Sequence, residues 1–128
     1  MTVARRSFGE DAEELVAARL ERRGWRIVER NARPAGIRGE LDVIALDGTS
    51  LVFVEVKARR AGSAIGPETP AGAVGHRKRM KIRSLAAAWL RERGYDVPRH
   101  RDLRFDVVGV RLDGAGRVLD YEHIRAAF

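Results

Sequence analysis

The chain has 128 residues, the usual length of one domain, and 45% of them are hydrophobic, which is enough to form a core and argues against disorder. Its 25 basic and 18 acidic residues give a net charge of +7, so the expected partner is a polyanion, nucleic acid first, although an arginine-rich proteome would also produce a basic surface. The absence of cysteine excludes disulfides and cysteine-ligated zinc, and neither a signal peptide nor a long apolar run is visible, so a cytoplasmic protein without a membrane span is expected.

Hydrophobic periodicity predicts two helices and five strands in the order αβββαββ. The helices cover residues 7–24 and 76–94, and the strands cover residues 25–31, 40–46, 51–59, 102–112 and 116–124. A Gly-, Ala- and Pro-rich stretch over residues 60–75 is long for a connection in a compact domain, which indicates a functional or mobile loop. The pattern predicts one α/β domain over residues 1–128, with a mixed central sheet flanked by helices.

The third predicted strand carries two charges within an apolar run. Side chains alternate between the faces of a strand, so Glu55 and Lys57 share a face with Leu51 and Phe53. A buried charge costs several kcal/mol unless it is paired or bound. The pattern therefore indicates either an ion pair or a ligand site at this point of the sheet.

The strand before it brings a further carboxylate, Asp42, to the same hairpin. If all four residues of DGTS form the loop, Leu46 pairs with Leu51 and Asp42 stands opposite Glu55. If only DG forms the loop, Asp42 falls opposite Phe53 and Glu55 becomes its diagonal neighbour. Both registers place the two carboxylates on one face.

Two facing carboxylates repel each other, and a hard divalent cation such as Mg²⁺ between them would remove the conflict. Lys57 could then orient or help deprotonate a water, or stabilise charge that develops on a phosphate. A plain salt-bridge cluster of Lys57 with Asp42 and Glu55 is the alternative, and the hairpin by itself does not distinguish the two.

The first helix offers a third acid. On a helical wheel Glu13 lies closest to the apolar stripe, Asp11 is next, and Glu10 and Glu14 point to solvent. Glu13 is therefore best placed to lean towards the sheet, although for this residue taken alone a solvated carboxylate near a helix N-terminus is the more ordinary interpretation.

This order of acids, with a Glu on the helix, an Asp on the hairpin and then E-x-K, resembles the pattern of the PD-(D/E)XK nuclease superfamily. Leu41 stands where the name of the superfamily has Pro. The matching positions are Glu13, Asp42 and Glu55-Val56-Lys57. The N-terminal segment also resembles the start of archaeal Holliday-junction resolvases, at Arg6, Gly9, Ala12 and Glu13.

A resemblance to the bacterial YraN family covers nearly the whole chain. It runs through AEELVAARL with Gly24 and Trp25, RN-x-R at residues 30–33, GELD at 39–42, VFVEVKAR at 52–59, Lys78, RFDVV at 104–108 and the terminal HIRAAF.

These resemblances imply a restriction-endonuclease-like αβββαβ core and metal-dependent hydrolysis of phosphodiester bonds. Asp42 and Glu55 would hold Mg²⁺ or Mn²⁺ with the carbonyl of Val56, Glu13 would complete the set or bind a second ion, and Lys57 would position the attacking water. The alternatives are a non-catalytic nucleic-acid-binding or adaptor module that keeps the acidic cluster for structure, and a protein–protein accessory factor whose basic face meets an acidic partner.

Basic residues around the expected site are candidates for binding phosphates, with DNA expected more than RNA and a homodimer expected by analogy with resolvases. The second helix begins with a basic cluster, for which a solvated helix face is the alternative. The candidates are Arg33, Arg38, Arg59, Arg60, Arg77, Lys78 and Lys81. Glu40 is a second-tier candidate, either for holding a water of the site or as a charge at a strand start.

The remaining polar and aromatic residues are interpreted as structural. Asp106 is expected to pair with Arg104 or a loop amide, and the two tryptophans are expected in the core. The three histidines, His76, His100 and His123, lack metal-like spacing and are expected at the surface.

Overall fold

The computed structural model describes residues 7–62 and 71–128. Its elements follow the predicted order, with single turns of 3-10 helix at Ala71–Ala73 and Gly94–Asp96. The helices are α1 (Phe8–Arg22) and α2 (His76–Arg93), and the strands are β1 (Arg26–Ala32), β2 (Leu41–Asp47), β3 (Ser50–Arg60), β4 (Asp102–Leu112) and β5 (Val118–Ile124). Helix α1 begins where the sequence indicates, because the Ser7 hydroxyl accepts a hydrogen bond from the Glu10 amide at 3.1 Å.

The five strands form one mixed sheet in the order β1-β2-β3-β4-β5. Strands β3 and β4 are parallel, and every other neighbouring pair is antiparallel. Parallel neighbours need a crossover connection, and α2 lies in the chain between β3 and β4. The fold is therefore of the α/β class and is consistent with a restriction-endonuclease-like core.

The two helices pack on opposite faces of the sheet, which we call the α1 face and the α2 face. Val16 and Leu20 of α1 pack on Val52 and Val54, and Leu85 of α2 packs in the other cluster. The rest of that α2-face cluster includes Leu51, Phe53, Ile82 and Trp89. Both tryptophans are buried, as predicted. A helix able to cross a membrane is absent from the described residues.

A buried polar network ties the end of the chain to β4. Asp106 is fully buried and accepts hydrogen bonds from Arg104 Nε at 2.9 Å and the Ala126 amide at 3.0 Å, which confirms the predicted pairing. His123 Nε2 lies 2.8 Å from Asp106 Oδ2, and its ring packs on Trp25. Burial raises the pKa of Asp106, but the hydrogen bonds outweigh burial and hold the pKa below its usual range. The expectation that His123 lies at the surface is wrong, because β5 turns this side chain, only 6% exposed, towards Asp106.

Candidate active site

The β2–β3 hairpin has the register that brings its two carboxylates level. Leu46 pairs with Leu51, which confirms the first of the two predicted registers, and Asp47 also pairs with Ser50. The last pair is Val43 with Val54. The residues that follow this last pair are Asp42 on β2 and Glu55 on β3, so the acidic site begins where the ladder between these strands ends.

Just beyond the last β2–β3 pair, the side chain of Asp42 takes the place of the backbone hydrogen bonds of the ladder. The residue is 9% exposed, and its Oδ2 accepts a hydrogen bond from the Val56 amide at 2.9 Å. In an extended strand the N–H and the C=O of one residue point to the same edge. The Val56 carbonyl therefore also faces the β2 side of β3, where the sequence predicts a ligand.

Glu55 lies between two lysines from different elements. The carboxylate is 6% exposed, and its Oε1 is 3.8 Å from Lys57 Nζ and 3.6 Å from Lys78 Nζ. Lys57 comes from the same strand, whereas Lys78 comes from the first turn of α2. Both distances are longer than an ordinary hydrogen bond, so neither lysine makes a close hydrogen bond to the Glu55 carboxylate.

Helix α1 adds a carboxylate to the same place. One oxygen each of Glu13, Glu40 and Asp42 lie within 4.8 Å of one another. The helical wheel selects Glu13 from four acids of α1, and the structure places it against Asp42. Glu40, the second-tier candidate, lies in this group just before β2.

The pKa values of these acids show the electrostatic cost of burying them close together. Burial, and then the charge of Asp42, raise the pKa of Glu55 to about 7. Burial, followed by the charges of Asp42 and Glu40, raises the pKa of Glu13 to about 7. Burial also raises the pKa of Asp42, although the Val56 amide opposes it. At neutral pH Glu13 and Glu55 are therefore partly protonated, and a bound cation would favour loss of those protons.

The donor set suits a hard divalent cation. All candidate ligands are carboxylate or carbonyl oxygens, the type that Mg²⁺ and Mn²⁺ prefer, and the described part of the site lacks soft sulfur or imidazole donors. Two of the acids, Asp42 and Glu55, are buried with incomplete charge compensation, which a cation would supply.

Arg30 is a site residue that the sequence reasoning missed. Its positive charge lowers the pKa of Glu13 against the other causes, and its buried Nε has no hydrogen-bond partner among the residues that the structure describes. It lines an open cleft of about 520 Å³ together with Glu13, Asn31, Arg33 and Glu40. The sequence feature that could have indicated Arg30 is the motif RN-x-R, which it begins. The alternation of side chains along a strand does not distinguish this arginine as functional.

Three of the predicted basic residues surround the loop before β2. Arg33 donates a hydrogen bond to Glu40 Oε2 at 3.0 Å and is otherwise exposed. Arg38 is exposed and lines a neighbouring cleft with Arg33. The Lys81 Cε lies 3.4 Å from the position that a Cβ would take at Gly39. Basic groups from this loop and from α2 therefore lie beside Glu40.

The other predicted basic residues are distributed more widely. Arg77 is exposed in the first turn of α2, and Arg59 is half-buried near the end of β3. Arg60 stacks over the ring of Phe8 at 4.6 Å, so it faces α1 and not the side of Glu55 and Lys57. Arg6, part of the resemblance to resolvases, lies outside the described residues.

Comparison with known sequences identifies the family. The profile described as "Uncharacterised protein family UPF0102" matches residues 12–110, a range that contains every acid and lysine of the site. The chain belongs to the UPF0102 family. A UPF0102 protein of Moorella thermoacetica is 43% identical over 128 residues, which cover 100% of both chains. A UPF0102 protein of Rhodococcus opacus is 43% identical over 122 residues, 95% of this chain and 96% of its own. This is the family to which the YraN resemblance points.

Proposed function

We propose that this UPF0102 protein is a metal-dependent nuclease of the PD-(D/E)XK type that hydrolyses phosphodiester bonds in DNA. One observation carries the proposal. Three elements, α1, β2 and β3, bring the half-buried Glu13, the buried Asp42 and Glu55, and a lysine together where the β2–β3 ladder ends. Placing like charges together in a protein interior is costly, and a functional site is one place where that cost is retained.

Each residue of the cluster has a role in this proposal. Asp42, Glu55 and the Val56 carbonyl would hold Mg²⁺ or Mn²⁺, and Glu13 would complete the set. When bound, the cation supplies positive charge that stabilises the phosphate as negative charge develops on it. Lys57, beside Glu55, orients the attacking water and adds a second positive charge.

The proposed reaction consumes water and breaks one ester bond. The water oxygen forms a bond to phosphorus while one phosphorus–oxygen ester bond breaks. The water gives up a proton, and the departing sugar oxygen takes one up. Glu40, held in place by Arg33, lies close enough to Asp42 to hydrogen-bond a water in the site.

We further propose that the protein recognises the structure of DNA and not its base sequence. The exposed Arg33, Arg38, Arg77 and partly exposed Lys81 suit contacts with phosphates, which position a protein on nucleic acid without reading bases. A homodimer would present two sites to two strands, as in a resolvase. The proposed compartment is the cytoplasm, because that is where a bacterial enzyme meets DNA.

The experiment is a cleavage panel of duplex, single-stranded, flap and four-way-junction DNA and of RNA, each with Mg²⁺, Mn²⁺ or EDTA. Cutting is expected with metal and not with EDTA. The Lys57→Ala variant is expected to cut at least about 100-fold more slowly while it keeps its affinity for DNA. Arg117→Ala, which removes an exposed charge of the β4–β5 turn, is the control and should cut normally.

A non-catalytic DNA-binding or adaptor module is the second candidate. The ion pairs of Glu55 with Lys57 and Lys78 favour it, because they partly neutralise the acid without a cation. Salt-sensitive binding without cutting in any metal would support this candidate and contradict the nuclease. Under it, Lys57→Ala and Asp42→Asn would keep both the fold and the affinity.

A further inference from the structure

The few lysines of the chain are gathered at the acidic site. The sequence has 22 arginines and only three lysines. Lys57 and Lys78 lie on Glu55, and Lys81 lies against Gly39. Arginine and lysine are not interchangeable where geometry matters, since one presents a planar fork and the other a compact ammonium. In a chain this rich in arginine, lysine at these positions indicates that a compact charge is needed there.

Helix α2 aims Lys78 at the site through its regular spacing. Lys78 precedes the buried Ile82 by four residues and Leu85 by seven, so it continues their stripe by one turn. Strand β3, which faces α2, shows the same change from apolar to charged, since Phe53 on the α2 face is followed two residues later by Glu55. Core packing thus gives way to a charged pair in both elements at the same level.

The contact leaves Lys78 available to a ligand. Its Nζ is 3.6 Å from Glu55 Oε1, the same oxygen that Lys57 approaches at 3.8 Å. The Lys78 side chain is 46% exposed, compared with 32% for Lys57. A long ion pair at a partly exposed lysine adds little stability, so a purely structural role explains the placement poorly.

The charge of Lys78 acts on both central acids. Burial is the largest influence on Asp42 and on Glu55 and raises the pKa of each. Lys78 opposes that rise at both carboxyls, and at Glu55 its influence exceeds that of Lys57. Lys78 is therefore electrostatically part of the site, although α2 follows the hairpin in the chain.

We infer that Lys78 is a catalytic residue of the proposed nuclease, whose ammonium rests on Glu55 in the free protein and contacts a non-bridging oxygen of the scissile phosphate when DNA is bound. This inference rests on the proposed function. Lys78 supplies positive charge beside the phosphate and takes no part in proton transfer. An arginine in its place would bind Glu55 through two hydrogen bonds and compete with a cation for that carboxylate.

The test compares Lys78→Met, Lys78→Arg and the control Arg91→Met, which removes an exposed charge from the last turn of the same helix. Single-turnover cleavage is measured at saturating DNA with Mg²⁺, on the substrate that the panel identifies. Mn²⁺ affinity is measured by calorimetry on the free protein, and circular dichroism checks the fold of each variant. Lys78→Met should cut about 100-fold more slowly, and Arg91→Met should cut normally.

The metal affinities provide the second readout. Lys78→Met should bind Mn²⁺ at least as tightly as the wild type, because a competing charge is gone, whereas Lys78→Arg should bind it about threefold or more weakly. Normal cleavage by Lys78→Met, with the wild type active, would overturn this inference and leave the nuclease standing. Equal Mn²⁺ affinity in all variants would overturn the contact with Glu55. A wild type that cuts nothing would overturn the proposed function and this inference together.

Discussion

At the scale of single residues, the unusual feature is burial of acids without full compensation. Asp106 is also fully buried, yet Arg104, His123 and a backbone amide hold its pKa low. Among the described residues, Glu55 lies 3.6 and 3.8 Å from two lysines and shares a hydrogen bond with Asp42, which is itself an acid, and burial raises its pKa to about 7. The contrast separates a carboxylate whose partners are complete from one that a further positive group would stabilise.

The pH dependence of stability tests this contrast in metal-free protein. Glu55 has a pKa of about 7 in the folded state against an ordinary value of 4.5, so the folded state binds its proton more tightly. This contribution is fully present below about pH 4.5 and is lost as the pH rises through about 7. Its size is on the order of 3 kcal/mol at most.

Urea unfolding in EDTA should therefore show the free energy of unfolding falling from about pH 5 to about pH 8, with a smaller fall in Glu55→Gln. Glu122→Gln, which changes an exposed carboxylate of β5, is the control and should keep the wild-type dependence. Identical pH profiles for Glu55→Gln and the wild type would contradict the raised pKa.

At the scale of elements, the connection from β1 to β2 is pressed against α2. Gly39 has a φ of +121°, and a Cβ placed there would stand 3.3 Å from Leu85 Cδ1. A side chain at this position would meet both backbone strain and a core leucine. Gly39 directly precedes Glu40, so its close approach to α2 also sets where β2 and its acids begin.

Replacement of Gly39 tests this packing. Gly39→Ala is expected to lower the free energy of unfolding by about 1–3 kcal/mol. Gly114→Ala is a matched control, because no atom of the described residues lies within 4 Å of a Cβ placed at Gly114 and its φ is not positive, and it should change stability by less than about 0.5 kcal/mol. Thermal or urea unfolding measures both. Equal stabilities would mean that the loop does not depend on a glycine.

At the scale of the whole molecule, the excess positive charge is the feature to explain. The net charge of +7 comes with exposed arginines and lysines around the start of α2 and the loop before β2. A protein that neutralises phosphates releases counterions, so its affinity falls as salt rises. The number of phosphates contacted can therefore be read from that dependence.

The salt dependence of DNA binding distinguishes this surface from the rest of the molecule. The double variant Arg77→Gln and Lys81→Gln is expected to reduce the slope of log affinity against log salt by about 2, because each lost phosphate contact removes about 0.9. Arg26→Gln is the control, since Arg26 is exposed at the first residue of β1. The acidic site lies at the other end of this strand, where Ala32 pairs with Leu41, the neighbour of Asp42. Fluorescence anisotropy at several salt concentrations measures the slopes, and an unchanged slope in the double variant would place the DNA elsewhere.

Much of the fold and part of the candidate site follow from local rules in the sequence. Strand alternation places Glu55 and Lys57 on one face, and a level hairpin brings Asp42 beside them, as the register of Leu46 with Leu51 confirms. The helical wheel ranks Glu13 first among the acids of α1. By contrast, Met80 is 55% exposed on α2, where its apolar character suggests a place on the buried side. One methionine does not reveal which stripe of a basic helix will face the sheet.

The sequence by itself determined the order of elements, the charged face of the β2–β3 hairpin and the basic start of α2, because these depend on periods of two and 3.6 residues and on composition. Only the tertiary structure decided that Lys78 of α2 meets Glu55 of β3, that Arg30 lies by Glu13, and that His123 is buried against Asp106. These contacts join residues far apart in the chain, and their geometry depends on how the helices and β5 dock on the sheet. Local periodicity restricts that docking but does not specify it.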